Sequence, residues 1–200
     1  MRNVYVIIRE LYVTKWQGVS FMSQKHEYKM KIVMLGDGAV GKTALTVRFS
    51  TGMFKEDYST TIGTDFSVKK LEIPELNAIA TLVIYDLAGQ PRFAAVRPSF
   101  YVGAKGGLLV FDVTRRSSFL NLENWVNEAY NSIGHPIPML VVANKIDLPD
   151  RVVPTHEGIA FAKSHGFLYV ESSAKTGENV ETAYREIVKD IILKSKNNSL

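Results

Sequence analysis

The run GDGAVGKT, Gly36 to Thr43, constrains this chain more than any other stretch. It fits G-x-x-x-x-G-K-[ST], and the apolar run KIVML, residues 31–35, stands directly before it. Glycines let the backbone fold closely around an anion with its N–H groups turned inward. A helix over Gly41 to Phe49 would add positive potential from its N-terminus. In such a cradle Lys42 reaches the β and γ phosphates and the Thr43 hydroxyl ligates Mg²⁺. Gly36, Asp37, Gly38, Ala39, Val40, Gly41 and Ala44 complete the expected nucleotide-binding loop. The bland alternative is a glycine-rich turn before an ordinary helix, and the strand–loop–helix context disfavours it. The motif alone does not choose between ATP and GTP, or between hydrolysis and transfer.

What surrounds the loop is an alternation of strand-like and helix-like segments. Residues 65–73 and 79–86 read as strands joined by a turn at PELN, and GLLVFDV, PMLVVA and residues 167–170 as further strands. Phe119, Leu122, Val126, Ala129 and Ile133 recur at helical spacing. Val180, Ala183, Tyr184, Ile187, Val188 and Ile191 form a cleaner stripe. Strands apolar on both faces, alternating with helices, imply an α/β three-layer fold with a mostly parallel sheet. Ligands in such sheets sit at the carboxyl ends of the strands.

Composition narrows the chemistry. The 200 residues suit one domain, and 24 Lys+Arg against 20 Asp+Glu give a net charge of +4 without a dense basic run, so nucleic acid is not an expected partner. Cysteine is absent, which excludes disulfides, thiolate metal sites and thiol-borne lipids within this sequence. The four histidines lack metal-ligand spacing. No apolar run approaches the length of a membrane span, and the N-terminal stretch does not read as a signal peptide.

Two more motifs follow strand ends. In DLAGQ, Asp86 stands where a Mg²⁺-orienting carboxylate belongs, Gly89 can present its N–H to a γ-phosphate, and Gln90 can orient an attacking water. In NKID, Asp147 can accept two hydrogen bonds from the ring N–H and exocyclic amine of guanine, a donor pair that adenine lacks. Asn144 shares that motif, and Lys145 would lie along the base. Ser173, Ala174 and Lys175, from SSAK, would bring backbone to the guanine oxygen.

With these motifs in order, the chain resembles a small GTPase of the Ras superfamily from about Tyr28 to Leu193. It is most similar to the Rab branch, through TIGTDF, LAGQPRF, GAKGGLLVFDVT and ESSAKTGENV. The resemblance implies a P-loop NTPase-type fold with six strands, one of them antiparallel, and five flanking helices. It implies that Thr61 ligates Mg²⁺ and contacts the γ-phosphate, that Phe54 packs on guanine, and that Tyr58 approaches the phosphates. Gln90 matches the catalytic glutamine, with Lys42 and Thr61 assisting. Gly38 leaves space for the transition state. The implied function is a GTP/GDP switch that hydrolyses GTP with Mg²⁺. No arginine is evident in cis, so turnover on the order of 10⁻⁴–10⁻³ s⁻¹ is expected until a partner supplies one.

The same resemblance implies an exchange factor, an activating protein and effectors acting through residues 54–66 and 86–101, in vesicle trafficking or signalling. A monomer is expected, without an intrinsic lipid anchor, cytoplasmic or brought to membranes by partners. Residues 1–27 read as an extension (an over-called start, a flexible arm, an extra strand or a partner-binding segment), residues 28–194 as the GTPase domain and residues 195–200 as a short polar tail.

Departures from the family are Leu87, Tyr85 and Pro91. Pro91 should push Gln90 into an extended backbone, with a helix beginning at Pro91 itself. Two other functions stay open on the residues: a GTP-binding interaction module with negligible hydrolysis, and a P-loop kinase, which NKID disfavours.

Overall fold

The computed structural model describes residues 25–55, 61 and 63–197. The expectations for residues 1–24, for Tyr58 and for the last three residues therefore lie outside the described part. Chain order runs β1 (His26–Leu35), α1 (Lys42–Thr51), β2 (Thr64–Ile73), β3 (Ala78–Leu87), α2 (Arg97–Tyr101) and β4 (Gly106–Asp112). It continues with α3 (Arg116–Leu120), α4 (Leu122–Ile133), β5 (Met139–Asn144), α5 (Thr155–His165), β6 (Leu168–Ser172) and α6 (Val180–Asn197).

The strands form one sheet in the order β2-β3-β1-β4-β5-β6. β2 runs antiparallel to β3, and the other pairs are parallel. The sheet grows from β1 in both directions, so the loop after β1 opens at the topological switch point, where α/β sheets bind ligands. Six strands match the expectation, and the helices reduce to the expected five when α3 and α4 are taken together. Only Asn121 separates those two, in a near-helical conformation (φ −79°, ψ −6°).

Period-two alternation along β1 builds a core on each face of the sheet. Ile32 and Met34 pack with Leu45 and Phe49 of α1 and with Tyr184, Ile187 and Val188 of α6. Val33 and Leu35 pack with Tyr101 of α2, Trp125 and Val126 of α4 and Ala162 of α5. β4 and β5 are buried along their whole length, as strands covered on both faces must be. β2, at the edge, exposes alternate residues, Phe66, Val68, Lys70 and Glu72, and buries Leu71 and Ile73.

Three boundaries differ from the sequence reading. β1 already pairs with β3 at His26, within the stretch expected as an extension. α6 runs to Asn197, through the expected domain limit at 194. The helix expected from Pro91 is a single 3₁₀ turn, Pro91–Phe93, and α-helix resumes only at Arg97. Inside a helix running on from Pro91, Pro98 would remove a backbone hydrogen bond and clash with the carbonyl four residues before it, whereas in the first turn of α2 it is accommodated.

Candidate functional site

The loops at the carboxyl ends of β1, β3, β5 and β6 enclose a cavity of about 620 Å³. Its lining includes Gly38, Ala39, Gly41, Lys42, Thr43 and Ala44 of the first loop, with Phe54 and Thr61 beside them. Gly89 and Gln90 come from the second loop, Asn144, Lys145 and Asp147 from the third, and Ala174 and Lys175 from the fourth. Leu87 and Leu148 also line it, although neither was among the expected site residues.

Gly41 caps α1 with φ 98°, and a Cβ there would stand 2.3 Å from Asn144 Nδ2. Both its backbone angle and the closeness of Asn144 require glycine. Asn144 is buried because its amide is committed to the fold. Nδ2 donates to the Val40 carbonyl at 2.8 Å, and Oδ1 accepts the Ala174 N–H at 3.2 Å. It ties the phosphate loop to the last loop, a role the motif reading missed.

Lys42, 6% exposed, donates from Nζ to the carbonyls of Gly36 (2.6 Å) and Asp37 (2.7 Å). Burial pushes its ammonium down to about 8, against the pull of Asp86 and Asp37; Arg97 and Arg115 push the same way as burial. A Cβ on Gly89 would stand 2.4–2.5 Å from Asp37 C, Gly36 O and Lys42 Nζ. Only glycine lets the second loop reach the first so closely.

Hard oxygen donors gather beside Lys42. Thr43 Oγ1 lies 2.8 Å from Thr61 Oγ1 and donates to Asp86 Oδ2. Asp86 Oδ1 is buried without a hydrogen-bond partner among the described residues. Burial pushes this carboxyl above its ordinary range, with Asp65 adding to the rise and Thr43 and Lys42 opposing it. An orphaned carboxylate oxygen beside two hydroxyls fits a hard cation that retains water. No cluster of three His, Cys, Asp or Glu occurs among the described residues, so any cation here would lean on hydroxyls and ligand oxygens.

At the far end, Ser173 Oγ donates to Asp147 Oδ1 at 2.6 Å and so orients that carboxylate without itself lining the cavity. Lys145 adopts φ 69° and pairs with Asp112 at 2.7 Å. Phe54, Leu148 and Ala174 supply apolar walls.

Gln90 is extended, φ −81° and ψ 143°, as the following proline demands. A Cβ on Gly38 would touch its Cγ at 3.4 Å. The Asp37 carboxylate turns away from the cavity. It accepts from Trp125 Nε1 at 2.8 Å and from Asn121 Nδ2 at 3.0 Å. Val40 is buried in the core, and Gly36 lies off the lining, with Val110 O only 2.1 Å from where its Cβ would be.

Two arginines missed by the sequence reading flank the cavity. Arg115 Nη2 donates to Gly38 O at 2.7 Å. Arg97 Nη1 donates to Gln90 O at 3.0 Å. Neither lines the cavity. No local motif marks them, because their partners lie far away in sequence.

The sequence model of the Ras family matches residues 31–193. The Ras-related protein Rab-18-B of Danio rerio is 44% identical over 165 residues, covering 82% of this chain and 79% of the relative. Rab-18 of Caenorhabditis elegans is also 44% identical over 165 residues, covering 82% and 80%. The Ras-related protein RABE1e of Arabidopsis thaliana is 40% identical over 168 residues, covering 83% and 76%. The family match takes in every loop that lines the cavity. The chain therefore belongs to the Ras family, on its Rab branch: it is a small GTPase, a switch that binds GTP and hydrolyses it to GDP.

Proposed function

We propose that the cavity holds GTP with its phosphates at Lys42 and its base at Asp147, and that Gln90 orients the water that attacks the γ-phosphate. The observation carrying this reading is the meeting of Lys42, Thr43, Thr61, Gln90 and Asp147 in one cavity, from loops more than 100 residues apart. Backbone N–H groups of the first loop and the amino end of α1 receive the phosphates. Lys42 offsets charge that develops on the γ-phosphate. Burial lowers the tendency of this ammonium to hold its proton, and phosphate charge beside it would favour the protonated form. Gln90 lines the cavity with its Cγ beside Gly38, and from there its amide would reach the space beside the terminal phosphate. Water attacks in line, the bond to the β-phosphate oxygen breaks, and GDP and inorganic phosphate leave.

Thr43 and Thr61 would hold Mg²⁺ directly, and Asp86 would hold one of its waters. Bound there, the ion neutralises phosphate charge. Loss of the γ-phosphate removes what Thr61 and Gly89 contact, so the two switch segments relax. Asp147, held by Ser173, selects guanine through its two acceptor oxygens.

We assign residues 54–66 and 86–101 to an exchange factor, an activating protein and effectors, in Rab-like vesicle trafficking. No described helix is long and apolar enough to cross a membrane, and the sequence has no cysteine for a thiol-borne lipid. We place the protein in the cytoplasm as a monomer that reaches membranes through partners. Phosphate release from GTP-loaded protein with Mg²⁺, compared with Thr43→Asn, tests the site. Thr43→Asn should lose GTP in favour of GDP; unchanged GTP binding and release would refute it.

A further inference from the structure

Arg97 opens α2 and is only 6% exposed, yet it faces the second loop rather than solvent. All three guanidinium nitrogens are engaged. Nε and Nη2 each donate to a Glu128 carboxylate oxygen at 2.7 Å. Nη1 donates to the Gln90 carbonyl at 3.0 Å and reaches the Ala88 carbonyl at 3.5 Å. Those two carbonyls flank Gly89. Glu128 is held in turn by the Tyr101 hydroxyl at 2.6 Å. The Arg97 guanidinium also stacks 4.4 Å from the ring centre of Trp125, whose Nε1 donates to Asp37 of the phosphate loop.

We propose that Arg97 is a positioning residue for hydrolysis: locked by Glu128, it latches the backbone of Ala88 to Gln90 so that the Gln90 side chain stays over Gly38. α4 is the common anchor. Through Trp125 it fixes the phosphate loop, and through Glu128 and Arg97 it fixes the second loop. The separation between nucleotide cradle and water-orienting amide is therefore set by one rigid element. A bidentate Arg–carboxylate pair suits this use, because its fork fixes direction as well as distance. A buried pair contributes little net stability over apolar packing, so geometry is the stronger reason for it. The latch rests on the assignment of Gln90 made above.

The test is single-turnover phosphate release from the full chain loaded with GTP and Mg²⁺, for wild type, Arg97→Lys, Gln90→Leu and the double variant. Lysine keeps the charge facing Glu128 but has no fork to hold carboxylate and carbonyl together. Arg97→Lys should slow hydrolysis on the order of tenfold while GTP and GDP affinities stay within about twofold. In the Gln90→Leu background it should cause no further loss, because residues acting through one another are not additive. In a Trp16→Phe background, the Trp125 emission should shift as the stacked guanidinium leaves.

Hydrolysis by Arg97→Lys within about twofold of wild type would overturn the latch, as would an equal drop in both backgrounds. Should Arg97→Lys fail to fold, Glu128→Gln replaces it in the same four-way comparison, with the same outcomes deciding. Full hydrolysis by Gln90→Leu would remove the assignment of Gln90, and the latch with it. Loss in Gln90→Leu alone removes only the latch.

Discussion

Asn144 joins two loops that the sequence keeps far apart: its amide nitrogen donates to the Val40 carbonyl at 2.8 Å, and its amide oxygen accepts from the Ala174 N–H at 3.2 Å. The loop after β1 and the loop after β6 are thus held by one side chain. Asn144→Ala leaves a buried carbonyl and a buried N–H without these partners. The expected cost is about 1–3 kcal/mol for each group left unpaired. Bound GDP should then dissociate at least about tenfold faster. Release of a fluorescent GDP analogue measures this, and an unchanged off-rate would show that the tie is dispensable.

Asp147 should determine the base. An amide at this position loses one acceptor and gains a donor, so Asp147→Asn should weaken GTP binding by about 100-fold or more. Xanthosine triphosphate, with a carbonyl where guanine carries its amine, should recover much of that loss. Competition binding with the two nucleotides reads the outcome. Equal loss for both would mean that Asp147 supports the loop without reading the base.

Acid should weaken the fold through two paired carboxylates. Burial opposes ionisation of Glu128 most strongly, but Arg97 and Tyr101 outweigh it and hold the carboxyl below its ordinary range. Burial likewise opposes Asp112, and Lys145 and Thr114 outweigh it. Both folded values lie below the unfolded ones near about 4. Their stabilisation is therefore complete above that range and is lost as pH falls through the folded values. Asp86, raised by burial, works in the opposite sense, so the comparison must isolate one group. Tm measured against pH should fall less steeply in Glu128→Gln than in wild type. Parallel curves would contradict the assignment.

Pro91 should hold Gln90 ready. Gln90 is extended because its neighbour is proline, and the 3₁₀ turn begins at Pro91. Pro91→Glu frees the preceding residue to sample helical backbone. Single-turnover hydrolysis should slow about two- to fivefold, matching about 0.4–1 kcal/mol of backbone entropy. Identical rates would reduce Pro91 to a tolerated substitution.

Much of the cavity lining was legible because the residues that build it sit in short runs at strand ends. GDGAVGKT, DLAGQ and NKID each carry their chemistry within eight residues, and the apolar strands before them announce the sheet. What was not legible depends on distant partners. Arg97 and Glu128 are 31 residues apart, and Asp37 and Trp125 are 88 apart. No local pattern marks either pair. α5 escaped for another reason: of its eleven residues only Gly158 and Ala162 are buried, so no broad apolar stripe forms. Its Gly158, unfavourable in a helix, is needed because a Cβ there would stand 2.5 Å from the Tyr169 ring. Asp37 lies within the phosphate motif, where the expected contact is through backbone N–H, and the separate fold-holding role of its side chain is not visible in the motif. The indole of Trp125 and the amide of Asn121 hold its carboxylate.

Gln90 carries the central assignment, and phosphate release from a single turnover of bound GTP with Mg²⁺ tests it most directly. Wild type should release phosphate slowly, on the order of 10⁻⁴–10⁻³ s⁻¹ without a partner. Gln90→Leu should bind GTP as tightly and release phosphate at least about tenfold more slowly. Equal release by the two proteins would contradict the assignment of Gln90 as the residue that orients the attacking water.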